Sequence, residues 1–224
     1  MKGMLIKDFQ LIFSNKRYFL ILLLIMVFIS FAGNGENYGF LVTFCGVCFG
    51  VMALNTISFD EQDGGLPYIM TLPVTRNMYV AGKYIFAVVM VAIGIILSGV
   101  LVMLGRLTTG SGPALRELLI IGAVSFVLFV SFVFILMPIQ FRFGSDNGRL
   151  MIIIFVATVY AAAFIMDKIS ESRGLDLETV IEGAISTLSA QPPALIAAEA
   201  AAVLLAVTSV SMAFSCAVMR RKQM

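Results

Sequence analysis

Long apolar runs, separated by short polar segments, repeat along this chain. A helix that crosses a bilayer needs about 20 mostly apolar residues, and the runs approach or exceed that length. They cover residues 18–33, 38–57, 80–104, 115–137, 150–166 and 194–218. We therefore predict six transmembrane helices. The first begins inside the polar residues before it, and we expect Pro138 to close the fourth.

The N-terminal residues 1–17 carry a different pattern. Apolar side chains recur there at helical spacing, whereas Lys7 and Asp8 fall on the polar positions between them. The apolar positions are Met4, Leu5, Phe9, Ile12 and Phe13. This pattern predicts an amphipathic helix that lies in the membrane interface with its lysines on the wet side. A simple positively charged flank of the first span is a compatible interpretation.

The longest polar interruption in the first half of the chain is the loop at 58–79. Its start is acidic and its end is basic. The acids are Asp60, Glu61 and Asp63. Residues 66–72 are long enough for a short helix with one apolar face, and Pro73 ends that helix because its ring disfavours helical geometry in the residue before it. Thr75 is placed to cap the next helix.

Residues of this loop and of the start of the next apolar run resemble the signature of the type-2 family of ABC exporter permeases. The residues that carry the resemblance are Glu61, Gly64, Tyr68, the run Thr71-Leu72-Pro73-Val74-Thr75-Arg76, and Lys83-Tyr84. Thr75 stands where the family more often has Ser, and both hydroxyls cap helices. Within the family, the chain is most similar to permeases that export amphipathic peptides, such as phenol-soluble modulin exporters and bacteriocin-immunity permeases. The motif is specific for the family and not for the cargo.

The resemblance implies a dimer of permeases, with a homodimer expected, above two copies of a cytoplasmic ATPase subunit that holds ATP and Mg²⁺. We predict that residues 66–72 form the coupling helix that docks on the ATPase, because its apolar face is exposed on a cytosolic loop. We also predict a charge pair between Glu61 and Arg76. The residues assigned to ATPase coupling are Asp60, Glu61, Leu66, Tyr68, Ile69, Leu72, Pro73, Arg76 and Lys83.

Composition supports an integral membrane protein, since 60% of the 224 residues are hydrophobic and 12% are charged, whereas a soluble domain is about a quarter charged. No cleavable leader is expected. The chain has no His, and the Cys45–Cys48 spacing therefore offers too few ligands for zinc. We interpret these thiols as packing residues and expect no metal site.

The chain also lacks an ATP site and a catalytic triad. A phosphate-binding loop needs Lys followed by Ser or Thr after its glycines, whereas Gly82-Lys83 is followed by Tyr84. We therefore predict a permease subunit that is not itself an enzyme and holds no cofactor. Membrane lipid is an expected partner, and nucleic acid is not.

The distribution of Lys and Arg predicts the orientation. Most of them lie in the N-terminal segment, the 58–79 loop, the loop near 138–149 and the C-terminal tail, and few lie in the other loops. The positive-inside rule then places both termini and the 58–79 loop in the cytoplasm of a bacterial cell.

The segment 167–193 is then extracytoplasmic, and apolar side chains form a stripe along 175–189. This pattern predicts one amphipathic helix or two halves broken near Gly183, either re-entrant, as the resemblance implies, or lying on the surface. Glu199 is the ionisable residue that we place well inside a predicted span. A structural role for Glu199 is favoured over one in a transport pathway.

These observations favour a permease that exports an amphipathic or antimicrobial-type peptide. One alternative is an immunity or receptor protein that binds a peptide without moving it, and another is an ABC exporter of a small hydrophobic drug or lipid. A proton-driven antiporter is poorly supported because the spans contain no chain of carboxylates at the midplane.

Overall fold

All the regular secondary structure in the described part of the chain is helical. The computed structural model describes residues 2–14, 16–32, 38–61, 65, 71, 75–109, 113–143 and 193–221. In chain order the helices are α1 (Lys2–Ser14), α2 (Lys16–Ala32), α3 (Tyr38–Glu61), α4 (Arg76–Thr109), α5 (Leu115–Phe143) and α6 (Pro193–Arg221). The all-α class predicted from the sequence is confirmed for these residues.

Four of the described helices are long and apolar enough to cross a membrane. Their spans are Tyr38–Glu61, Arg76–Thr108, Leu115–Arg142 and Ala201–Met219. The first predicted span corresponds to a shorter apolar helix, Phe19–Ser30. The fifth predicted span, at 150–166, lies outside the described residues, as does the predicted element at 175–189 with Gly183. The total of six spans and the re-entrant element therefore stay predictions.

The chain divides into two compact units. The first comprises Met1–Ser145 together with Val207–Met224, and the second comprises Asp146–Ala206. Within the first unit, α3 packs against both α4 and α5. The buried residues of α3 recur every three or four positions: Leu41, Val42, Cys45, Gly46, Phe49, Gly50, Ala53, Leu54, Thr56, Ile57 and Asp60. In the second unit the structure describes only the part of α6 that precedes Val207.

Two glycines of α3, one turn apart, allow α5 to approach closely. A Cβ atom at Gly46 would lie 2.2 Å from Cδ2 of Phe129, and one at Gly50 would lie 2.8 Å from Cγ2 of Val133. Both distances are shorter than real Cβ contacts. Small residues spaced in this way are typical of tight helix pairs in membranes.

Helix α5 does not end at Pro138, because it continues through that residue to Phe143. The expectation that Pro138 closes the fourth span was wrong. Proline has no backbone N–H, so the carbonyl four residues earlier, that of Phe134, loses its helical partner. The hydroxyl of Ser211 in α6 donates a hydrogen bond to this carbonyl. A neighbouring helix thus satisfies the group that the proline frees, which makes proline tolerable inside a membrane helix.

We expect Ser211→Ala to destabilise the protein by about 1–3 kcal/mol, because the Phe134 carbonyl is then left buried without a donor. The loss should be smaller when Pro138→Ala is also present, since alanine restores the backbone N–H to that carbonyl. Unfolding titrations of the four proteins of this double-mutant cycle in detergent measure the coupling.

A suitable control is Ser98→Ala, because the Ser98 hydroxyl bonds to the Ile95 carbonyl of its own helix, at 2.7 Å. The destabilisation caused by Ser98→Ala should be the same whether residue 138 is proline or alanine. Equal costs of Ser211→Ala with and without Pro138 would contradict the role assigned to this hydrogen bond.

Candidate functional site

Four charged side chains from three helices meet at one end of the bundle. The Nζ atom of Lys83 in α4 lies 2.9 Å from each carboxylate oxygen of Asp8 in α1 and 2.7 Å from Oδ2 of Asp60 in α3. Lys7 of α1 donates to the other oxygen of Asp60. Lys7, Asp8, Asp60 and Lys83 are called the ion cluster below. With two lysines and two aspartates, the cluster is electrically neutral.

Neutral groups supply further hydrogen bonds and a cation–π contact to the charged groups of the ion cluster. Lys83 donates to the hydroxyl of Thr56 at 3.2 Å and to its carbonyl at 3.3 Å. The hydroxyl of Tyr79 donates to Asp60 at 3.0 Å, and the Tyr79 ring centroid lies 5.6 Å from the Lys83 ammonium. The Lys83 side chain is fully buried, whereas 39% of the Lys7 side chain is exposed. Each buried charge therefore has the partners that burial requires.

The sequence pattern assigns Asp8 to the polar side of α1, and that assignment was wrong. α1 is helical as predicted, but Asp8 is buried completely. Burial raises the pKa of the Asp8 carboxyl above its ordinary value, and the nearby Lys83 ammonium opposes this shift. Amphipathic spacing does not distinguish an acid in water from an acid paired with a buried lysine on another helix.

The structure brings two residues of the predicted coupling set together, namely Asp60 and Lys83. Arg76, the first residue of α4, donates to the carbonyl of Met219 in α6 at 3.2 Å. Glu61 is the last residue of α3, and its pairing with Arg76 stays a prediction. Glu199 lies within α6. The other coupling residues lie outside the described residues: Leu66, Tyr68, Ile69, Leu72 and Pro73.

Sequence reasoning missed Lys7, Asp8, Thr56 and Tyr79 as members of this site. One signal was available, because Lys83 lies inside the third apolar run. A lysine inside a membrane helix requires a partner for its charge. Which carboxylate supplies it, however, depends on the packing of α1 and α3 against α4.

A second polar contact joins α4 to α6. The hydroxyl of Tyr84 lies 2.6 Å from the hydroxyl of Ser211 and 2.7 Å from that of Ser215. The two serines are one helical turn apart, so both face α4. The adjacent Lys83 and Tyr84 of the family-like motif thus serve different contacts. Lys83 binds α1 and α3, and Tyr84 binds α6.

An apolar groove of about 480 Å³ lies between α4 and α5, toward the end of these helices away from the ion cluster. Its walls include Ile96, Gly99, Val100, Leu104, Leu115 and Leu119. The space beside Gly99 is open, because a Cβ atom there would meet no atom within 4 Å. The groove suits an aliphatic or aromatic group and offers no charge.

The described residues contain no group of His, Cys, Asp or Glu able to hold a metal ion. Cys45 and Cys48 are free thiols in α3. The carboxylates of the ion cluster are occupied by lysines, so this arrangement fixes helices and does not resemble an acid–base pair.

Apolar helices long enough to cross a membrane, with a neutral ion cluster at one end, define a polytopic membrane protein. A protein-family model described as ABC-2 family transporter protein matches residues 3–220. The chain therefore belongs to the ABC-2 family of transporter proteins and is a membrane-embedded permease subunit without its own ATP site. Membership implies an ATPase partner. No curated protein matches the chain.

Proposed function

We propose that this permease exports an amphipathic, membrane-active peptide, as the phenol-soluble modulin exporters do. In this proposal two copies of the chain form a homodimer in a bacterial cytoplasmic membrane, with six spans each and both termini in the cytoplasm. Two ATPase subunits bind ATP and Mg²⁺ and act on the loop at 58–79. The element at 175–189, with Gly183, serves as the outer gate.

The cargo assignment rests on one observation, the hydrogen bonding of the polar side chains in the described spans. Several of them bond within the protein: Ser98 bonds its own helix, Tyr84 bonds two serines of α6, and Gln140 donates to Ser58. Among the described residues, Ser131 Oγ alone is a buried side-chain polar atom without a hydrogen-bond partner. A polar solute needs groups that replace its water, whereas the apolar face of a peptide does not.

The groove between α4 and α5 supports the same proposal. An amphipathic helix binds by inserting apolar side chains from one face into an apolar groove, and this groove is lined by apolar residues of both helices. The groove also favours a second candidate. Its volume of about 480 Å³ lies within the range of sites for small organic ligands, which suits an exporter of a hydrophobic drug or lipid.

Peptide-stimulated ATP hydrolysis by the reconstituted complex tests this proposal. We expect amphipathic helical peptides to stimulate hydrolysis, and cells without the permease to become sensitive to such a peptide. Scrambled peptides of equal composition, which lack an apolar face, are the control. Stimulation by a hydrophobic drug or lipid alone would favour the second candidate. Stimulation by a small polar solute alone would overturn both cargo assignments and leave family membership standing.

We expect Leu66→Asp with Ile69→Asp to abolish co-purification of the ATPase, because two charges on the apolar face of the proposed coupling helix oppose docking. Membrane insertion should be unchanged, since the loop lies between spans. Leu107→Asp is the matched control, because Leu107 is 82% exposed near the other end of α4. Undiminished co-purification of the Leu66/Ile69 variant would rule out this docking surface.

A further inference from the structure

Helix α1 is attached to the α3–α4 pair by directional polar contacts. Asp8 bonds Lys83 of α4 through both carboxylate oxygens, and Lys7 bonds Asp60 of α3. Apolar contacts lie beside these bonds. A Cβ atom at Gly82 would be 3.0 Å from the Met4 methyl group.

The same two helices flank the segment 62–74, which lies within the proposed ATPase-binding loop. α3 ends at Glu61 and α4 begins at Arg76. The 2.7 Å contact between Asp60 and Lys83 joins α3, one residue before its end, to α4, about two turns after its start. Both helices that flank the segment therefore contribute a residue to the ion cluster.

α1 is in turn connected closely to the first apolar helix. α1 ends at Ser14 and α2 begins at Lys16, so one residue separates them. A one-residue link allows little independent translation of the two helices, because consecutive Cα atoms are about 3.8 Å apart. α2 also packs on α3, where the rings of Phe19 and Phe49 meet edge to face at 6.5 Å.

Stability alone is a weak explanation for the ion cluster. Apolar residues of similar volume often stabilise a buried site as well as an ion pair does. Charged hydrogen bonds, in contrast, fix relative position, because they have strong distance and angle requirements. The ion cluster is electrically neutral and contains residues of α1, α3 and α4. It is therefore suited to hold these three helices in fixed relative positions when one of them is displaced.

We propose that α1 moves as one body with the adjoining ends of α3 and α4. Lys7 and Asp8 are then positioning residues for ATP-driven transport, since they transmit displacement of the segment 62–74 to α1 and α2. This inference rests on the proposed function, in which an ATPase acts on that segment.

The test removes both charges of α1 together. Lys7→Ala with Asp8→Ala leaves the neutral pair of Asp60 and Lys83 intact between α3 and α4. In the reconstituted permease–ATPase complex, a fluorescent synthetic amphipathic helical peptide serves as the cargo probe. We expect the peptide exported per ATP hydrolysed to fall about tenfold, within the usual range of coupling between sites. Gln10→Ala, an exposed change on the same helix, should leave the ratio unchanged.

A covalent bridge distinguishes a connection from a packing effect. Met4→Cys with Gly82→Cys, in a chain whose three native cysteines are alanine, is bridged by a short bifunctional thiol reagent. The bridge should restore export in the Lys7/Asp8 variant and leave export unchanged when both charges are present. An unchanged export ratio in the unbridged Lys7/Asp8 variant would overturn the inference.

The bridged chain that retains Lys7 and Asp8 tests whether α1 moves together with α4, even if the Lys7/Asp8 variant fails to assemble. Loss of export in that chain would show that α1 must separate from α4, and the inference would then be wrong. The bridging yield needs no cargo and should be equal with and without ATP, whereas an ATP-dependent yield would overturn the inference. Failure of the unmodified complex to export peptide, with an ATP-independent yield, would count against the cargo assignment alone.

Discussion

Lys83→Met should destabilise the protein by about 3–5 kcal/mol, the usual cost of removing one partner from a buried ionic group. The variant keeps Asp8 and Asp60 buried but, among the residues that the structure describes, leaves them only the partly exposed Lys7 as a cation. Methionine preserves most of the volume, so the effect reports the charge. Denaturant or SDS unfolding of the purified permease measures the loss.

The pH dependence of the Lys83→Met variant should follow Asp8. Burial already raises the pKa of Asp8, and Lys83 is the main group that opposes this shift. An acid whose pKa is higher in the folded state favours folding when protonated, and this advantage disappears as the pH rises through the folded pKa. The loss of unfolding free energy in the Lys83→Met variant, relative to the unmodified chain, should therefore be smaller at acid pH and larger toward neutral pH.

Two comparisons separate this explanation from a packing effect. Adding Asp8→Asn to Lys83→Met should recover part of the loss, because the site becomes neutral again. Lys7→Met should cost less than Lys83→Met, because the Lys7 side chain is 39% exposed and water screens its charge. A Lys83→Met protein as stable as the unmodified chain at neutral pH would contradict the buried ion cluster.

Gly46→Ala should also destabilise the bundle, by about 1–3 kcal/mol, through overpacking. The added Cβ would lie 2.2 Å from one ring carbon of Phe129 and 2.5 Å from the next. Phe129 is only 6% exposed, so its ring has little room to turn away. The change affects the packing of α3 against α5, and unfolding titrations in detergent measure the resulting loss of unfolding free energy.

Gly39→Ala is the control for Gly46→Ala, because a Cβ at Gly39 would meet no atom within 4 Å. That change should be neutral or slightly stabilising, since alanine favours helix over glycine by up to about 1 kcal/mol. Shortening the opposing side chain with Phe129→Leu should recover part of the Gly46→Ala loss. Equal effects of the two glycine changes would show that α5 does not approach α3 at Gly46.

The helices that the structure describes agree with the sequence prediction within a few residues, apart from the end of α5. Periodicity and run length are local properties, and the four described spans could be located from them. Pro138 is a local signal that misled, because proline usually ends helices. The hydroxyl that compensates for it belongs to Ser211, which is 77 positions from Phe134, the residue whose carbonyl it bonds.

The sequence by itself determined the membrane class, the approximate positions of the described spans and the family, because these depend on composition and on the short motif at 61–84. Only the tertiary structure decided which groups neutralise Lys83 and which side of α1 is buried. Asp8 and Lys83 are 75 positions apart, and no local pattern links them. A buried charge accepts whichever opposite charge the helix packing places within hydrogen-bonding distance, so the identity of its partner is a property of the packing.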